Sequence, residues 1–343
     1  MPAEDPARLG GAVRARAVAA LVALAACARA AGKEATMEPK PWGETLAMCA
    51  GRFCADVPKV MDRGGHHSML DVTLEEKTWM PPLDKAFERE WNAQLAKIDE
   101  IRAKRVRQQA LRPRSVAGDV VEKRTIAQGF ESICYYQDSR NLIVWTALRD
   151  YGRAGLVLSR WGLADRKADL AGSIVEIGNA YHARDGKEPW PAPGADWFYL
   201  QQGAVKLPFR EEERMEAFFD GLGVRFIMQT ETSAEPEKTG PVGRLRTAVA
   251  RLGSDATDGS TVVKQDSHRK VAGFTGEELV IKETGKKPPE KSDMQFGWVF
   301  PGEANSGARP RLVLRIETKA DHEAEKTALW NALLDSVRPV TAR

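Results

Sequence analysis

The strongest constraint on this chain is a cluster of short apolar runs that gives way to a helix and then begins again. Between residues 130 and 160 the sequence turns β-branched and aromatic, with Ile133-Cys134-Tyr135-Tyr136, then 142–148, then Leu156-Val157-Leu158-Ser159, parted by Asp-Ser and Gly breaks. Apolar runs of that length between turn residues are neighbouring strands. Residues 165–182 then take up helical spacing through Leu170, Ile174, Ile177 and Tyr181. The second half repeats the style, with strands expected at 197–200, 224–230, 277–282, 294–300 and 312–318 and a helix near 242–252. Leu312, Leu314 and Ile316 alternate with Val313, Arg315 and Glu317, a period-two strand with one covered face. Strands in clusters followed by helices predict an α+β fold of mostly antiparallel sheets with helices packed on one face, not a doubly wound parallel sheet.

Two more helices complete that reading. Leu83, Phe87, Trp91, Leu95, Ile98 and Ile101 recur every three or four positions, and Asp84 suits the dipole at the start of such a helix. Its far end carries Lys97, Arg102, Lys104, Arg105 and Arg107, which read as a solvated helix C-terminus. Leu329, Trp330, Leu333, Leu334 and Val337 form one stripe of a final helix. At about 100–200 residues per domain, 343 residues make two domains or one large one. Pro189-Trp190-Pro191-Ala192-Pro193-Gly194 is the expected boundary, dividing the chain into 42–188 and 195–340.

Composition removes several classes. Hydrophobic residues are 43% and charged residues 29%, with 29 Gly and 19 Pro, which excludes collagen-like, disordered and multispanning membrane chains. Lys plus Arg is 51 against 48 for Asp plus Glu, and a balance of +3 gives no field for nucleic acid. No G-x-S-x-G elbow, Walker loop, HExxH or paired CxxC is present, so no catalytic, cofactor-binding or metal residue is assigned. Gly221-Leu222-Gly223 reads as a turn before a strand. His66-His67 reads as a surface loop, and Glu211-Glu212-Glu213 and Glu277-Glu278 as solvated charge.

The amino end reads as an export signal over residues 1–30. Arg14 and Arg16 precede the apolar run 17–26, too short to span a bilayer and suited to a signal-peptide core. Leu24-Ala25-Ala26-Cys27 resembles a lipobox, which would make Cys27 the acylated residue of a lipoprotein, and the following Ala28 favours the outer membrane. A cut after Ala28-Arg29-Ala30 would instead release a soluble periplasmic protein, and both remain open. Glu4 and Asp5 ahead of the arginines point to a start downstream of Met1, and initiation at Met37 would leave a cytoplasmic protein. Residues 32–41 are small and polar, a tether to the first domain. In an oxidising compartment Cys49 and Cys134 become a candidate pair, worth about 4 kcal/mol by loop closure, with Cys54 as competitor and a free thiol as the alternative.

Cys49-Ala50-Gly51-Arg52-Phe53 with Asp56-Val57-Pro58 resembles the C-x-G-R-[FY]-x-x-D-[LV]-P opening of type VI secretion lipase-effector immunity proteins. Gly273-Phe274-Thr275-Gly276-Glu277-Glu278 resembles that family's G-F-x-G-x-E turn. Phe296-Gly297-Trp298, continuing through Gly302-Glu303-Ala304, resembles its F-x-W-x-x-x-G-E-x strand and loop. Pro310-Arg311-Leu312 and the tail from Leu329-Trp330 to Arg338 also fit. The resemblance spans 49–338, weakest in the middle. It implies a two-domain periplasmic protein without cofactor that binds a cognate lipase or phospholipase effector, clamps it and blocks its access to lipid. On this reading the chain is not an enzyme, and it meets a membrane only through an N-terminal lipid anchor. The motif residues Gly51, Arg52, Asp56, Pro58, Gly273, Gly276, Glu278, Trp298, Gly302, Glu303 and Trp330 are expected as scaffold. Toxin specificity is expected on loops at 64–68, 286–292 and 303–309. Cys49 fits the family's opening cysteine, and Cys134 is taken as its partner. The competing reading is an envelope lipoprotein that scaffolds or binds a small ligand, and a hydrolase with a noncanonical site comes third.

Overall fold

A computed structural model describes residues 42–108, 111, 114–184, 194, 196–209, 212–236, 240, 243, 260–283 and 293–340. The expected export signal with Cys27, the helix near 242–252, the loop 286–292 and most of the Pro-rich boundary lie outside the described residues. The first half gives β1 (Thr45–Ala50), β2 (Phe53–Pro58), β3 (Asp62–Met69), β4 (Val72–Thr78), helix α1 (Ala86–Arg107), β5 (Val120–Lys123), β6 (Phe130–Tyr136), β7 (Leu142–Asp150), β8 (Ala154–Leu163), helix α2 (Lys167–Ala180) and β9 (Tyr181–Ala183). The second half gives β10 (Trp197–Tyr199), β11 (Gly203–Lys206), β12 (Arg214–Gly221), β13 (Val224–Glu231), β14 (Ser260–Val271), β15 (Phe274–Glu283), β16 (Asp293–Phe300), β17 (Arg311–Lys319), helix α3 (Glu323–Ser336) and β18 (Arg338–Pro339).

Twelve of these strands form one sheet in the order β14-β15-β16-β17-β13-β12-β3-β4-β8-β7-β6-β5, and every neighbour is antiparallel. The α+β expectation holds. Residues 42–188 and 195–340 share this sheet, joined where β3 pairs with β12 over seven residues from Asp62↔Asp220 to Ser68↔Arg214. Two three-stranded sheets, β1-β2-β18 and β10-β11-β9, lie beside it.

Helices pack on both faces of the first half and not on one face as expected, because β7 and β8 are apolar on both sides. On the inner face α2 buries Leu170, Ile174 and Ile177 into the main core. Gly178 allows that approach, because a Cβ there would stand 2.5 Å from the Phe130 ring. On the outer face α1 lays Trp91 and Ile98 on Ile133, Leu148 and Val157. That double cover explains why β7 and β8 carry unbroken buried stretches instead of alternation. In the second half α3 buries Leu329, Trp330, Leu333 and Leu334 in the core that holds Phe296, Leu314 and Ile316. The alternation predicted for 312–318 is present in β17.

Four local expectations are corrected. Cys49 bonds Cys54 across the β1–β2 hairpin, and Cys134 is a buried free thiol. Antiparallel pairing sets Cys49 directly opposite Cys54, whereas Cys134 points into the core from β6. The ring closed is short, so its chain-entropy gain is about 2 kcal/mol, half that of the expected pair. Residues 64–68 are not a loop but the middle of β3, where Gly64 leaves room for the Phe218 ring, which a Cβ would meet at 2.2 Å. Glu213 and Glu278 are not solvated charge, being 5% and 0% exposed. Each is drawn in by a cation, Arg52 and Lys264 respectively.

Candidate functional site

The pleat of β3 sends its adjacent histidines to opposite faces, and the two sides have different chemistry. On the outer face His66 is exposed, with its ring 6.3 Å from Phe218. It opens onto a trough of about 310 Å³ lined by Ser68 and Thr73 from the β3–β4 hairpin, Arg214 and Glu216 from β12, Gln229 and Glu231 from β13, and Arg311 from β17. The register explains the lining, since Glu216↔His66, Glu216↔Gln229, Ser68↔Arg214 and Arg214↔Glu231 are directly opposed and so share this face. The trough lies across the strand pair that joins the two halves.

Its charges are nearly all matched. Arg214 pairs with Glu231 at 3.3 Å, and Gln229 donates to Glu216. Arg311 lies directly across from Glu231, yet among the described residues it makes neither an ion pair nor a hydrogen bond, and its Nε is shielded from solvent with no acceptor. One guanidinium is therefore left over at the trough.

Below the strand is a buried polar knot. Arg63 donates to the carbonyls of Cys49 at 2.6 Å and Leu200 at 2.9 Å, and burial lowers its pKa to about 10. Glu76 accepts from the Tyr181 hydroxyl at 2.6 Å and the Gln202 amide at 2.8 Å, and burial raises its pKa. His67 sits edge-on to Phe198, its Nε2 has no partner among the described residues, and burial, with Arg63 and His66 adding to it, pushes its pKa down to about 3. Below pH 6.5 the unfolded chain protonates His67 while the fold keeps it neutral, so its stabilisation is present above pH 6.5 and lost towards pH 3. Glu76 acts in the opposite sense, since a raised carboxylate favours the fold less as pH rises. Wild type is therefore expected to lose about 2–3 kcal/mol relative to His67→Phe between pH 7.5 and 4.5, measured by urea unfolding. Parallel stability curves for the two proteins would show that His67 titrates alike in both states.

Arg311, from the Pro310-Arg311-Leu312 match, lines the trough; the motif residues expected as scaffold do not, and they hold the inner layers together. Gly51, with positive φ, exchanges 2.8 Å backbone hydrogen bonds with Tyr199. Arg52 makes a two-pronged pair with Glu213 at 2.7 and 2.6 Å, reaching from the β1–β2 hairpin to the start of β12. Asp56 accepts from Arg338 at 2.7 Å, and Pro58 ends β2 with its carbonyl taking the Met61 amide. Gly273 turns β14 into β15 at positive φ, and Gly276 lies against Trp298, whose indole donates to the Arg269 carbonyl at 3.1 Å. Glu278 accepts from the Trp330 indole at 2.9 Å. Gly302 lets the chain pass the β17 backbone, and Glu303 pairs with Arg309 in the loop 303–309.

Sequence reading assigned a toxin-facing role only to the trough residues within 64–68, His66 and Ser68 among them, because the rest of the lining is scattered polar positions on four other strands. Strand parity was the available signal. The same alternation that buries Leu312 and Leu314 sends Arg311 to the outer face, and β8 parity sends Trp161 and Leu163 there with Ser159. Among the described residues no group of His, Cys, Asp and Glu could hold a metal ion, and no helix is long and apolar enough to cross a membrane.

No protein-family model matches the chain, and no curated protein matches it in sequence. Solved structures match its fold closely. The immunity protein TplEi of the type VI secretion system of Pseudomonas aeruginosa, without ligand, aligns with a TM-score of 0.66 at 15% identity, over 87% of this chain and 98% of the other. A chain of the Tle4–Tli4 complex aligns with a TM-score of 0.66 at 15% identity, over 90% of this chain and 100% of the other. TplEi bound to "L" peptide aligns at 0.61 and 15% identity, over 86% and 98%.

Proposed function

We propose that this chain is an immunity protein that captures a lipase- or phospholipase-type effector of type VI secretion and blocks its access to lipid. The observation that carries this reading is a fold shared with the type VI secretion immunity protein TplEi and with a chain of the Tle4–Tli4 complex, across 86–90% of this chain and 98–100% of theirs. The ordered motifs from Cys49 to Arg338 supply the chemistry of the effector. It acts by binding, with no reaction of its own and no cofactor. The halves 42–188 and 195–340 serve as two arms whose shared sheet carries the trough between them, and obstruction of a lid or substrate entrance is the inhibitory step. The reading places the protein in the periplasm, where the run at 17–26 would direct it, either free or held by a lipid on Cys27.

The test is to mix the full chain with purified lipase-type proteins, taking first any encoded by a gene adjacent to its own, and titrate phospholipase activity. Loss of activity at a fixed molar ratio, with a stable complex, is expected. Full activity without a complex would overturn the reading.

A further inference from the structure

We propose that the effector seats on the outer face of the sheet between Arg311 and Trp161, presenting a carboxylate to Arg311 and an apolar side chain to Trp161. This rests on the immunity reading above and adds to it the surface and the chemistry of the partner. Trp161 is 62% exposed, the single exposed tryptophan among the described residues, and Leu163 beside it is 52% exposed. Cross-strand pairing sets Trp161 against Val144 and Leu163 against Leu142, so the four form one apolar platform at the end of the β7–β8 hairpin. Lone exposed apolar residues are ordinary on protein surfaces, but a tryptophan on a paired apolar platform is the kind of anchor that dominates interfaces.

The platform and the trough belong to one surface. Thr73 of the trough pairs with Ser159, and Trp161 is the next residue of β8 on the same face. From β17 to β8 is five strand spacings, about 24 Å, which matches a contact of roughly 800 Å² per partner. Charge sets the partner's chemistry. The acids of the trough are engaged, Glu231 by Arg214 and Glu216 by Gln229, leaving the Arg311 guanidinium without an anion among the described residues. A planar fork of donors held in a partly shielded trough is complementary to a carboxylate.

The test is calorimetric titration of the full chain with the lipase-type protein found in the inhibition test above, its nucleophile replaced by Ala, at low and high salt. Arg311→Glu is expected to weaken binding about 100-fold and to flatten its salt dependence, and Trp161→Ala to weaken it about 30-fold. Lys59→Glu, on the exposed turn after β2, leaves binding unchanged. Should Arg311→Glu fail to fold, Arg311→Gln and Trp161→Ala carry the test. Wild-type affinity in the Arg311 and Trp161 variants, with inhibition intact, would overturn this surface and leave the immunity reading standing. A wild-type chain that neither binds nor inhibits would overturn both.

Discussion

Arg52→Met is expected to lower the stability of the fold by about 3–5 kcal/mol, read from the urea midpoint at constant slope. The Arg52 guanidinium grips the Glu213 carboxylate through Nε and Nη2, and the side chains are only 10% and 6% exposed. It also donates to the Leu207 carbonyl at 3.1 Å. Removing the cation strands a buried carboxylate, which costs far more than the net worth of the pair. The companion variant Arg52→Met/Glu213→Leu should recover most of the loss, because the desolvation cost disappears with both charges. A single-variant loss below about 1 kcal/mol would mean that water solvates Glu213 once the arginine is gone.

Trp330→Ala is expected to cost about 3–5 kcal/mol, and Trp330→Phe about 1–3. Trp330 is fully buried, with its ring 5.8 Å from Phe296 and its indole N–H on Glu278. Alanine leaves a cavity at the seam between α3 and the sheet and removes a donor from a carboxylate with no exposure. Phenylalanine keeps most of the packing and loses only the donor. Thermal and urea unfolding of the two variants separate these contributions. Equal losses in both would place the whole effect in the hydrogen bond.

Much of the fold was legible because burial and periodicity coincide. In α2 and β17 the side chains that repeat with period 3.6 or two are those the core takes in, in the stripe expected for α1 the same holds for Trp91 and Ile98 but not for the exposed Leu83, and in β7 and β8 unbroken apolar runs mark strands covered on both faces. Where cover comes from a distant residue, local pattern misleads. Gly64-Gly65-His66-His67 has the composition of a loop, but Phe218, over 150 positions on, lies across it and makes it a strand. Glu213 and Glu278 look solvated in isolation, and their burial depends on Arg52 and Lys264 arriving from other strands. Cys49 and Cys54 pair because a hairpin puts them opposite each other, which residue identity does not announce. The trough was least legible of all, since it is defined by strand order, and β3 meets β12 only after the chain has returned from far away.

The short pairing of β18 with β2 has a kinetic consequence. Asp56 and Arg338 meet 282 positions apart, and α3 comes down on the same hairpin. A ribosome that has released the β1–β2 hairpin must still reach Tyr199 and Glu213 before the partners of Gly51 and Arg52 exist, and Arg338 before α3 and β18 cover it. Contacts so remote in sequence close slowly, because loop entropy is lost before the contacts form. The seal that α3 and β18 place on the β1–β2 hairpin is therefore the last of that hairpin's contacts to form.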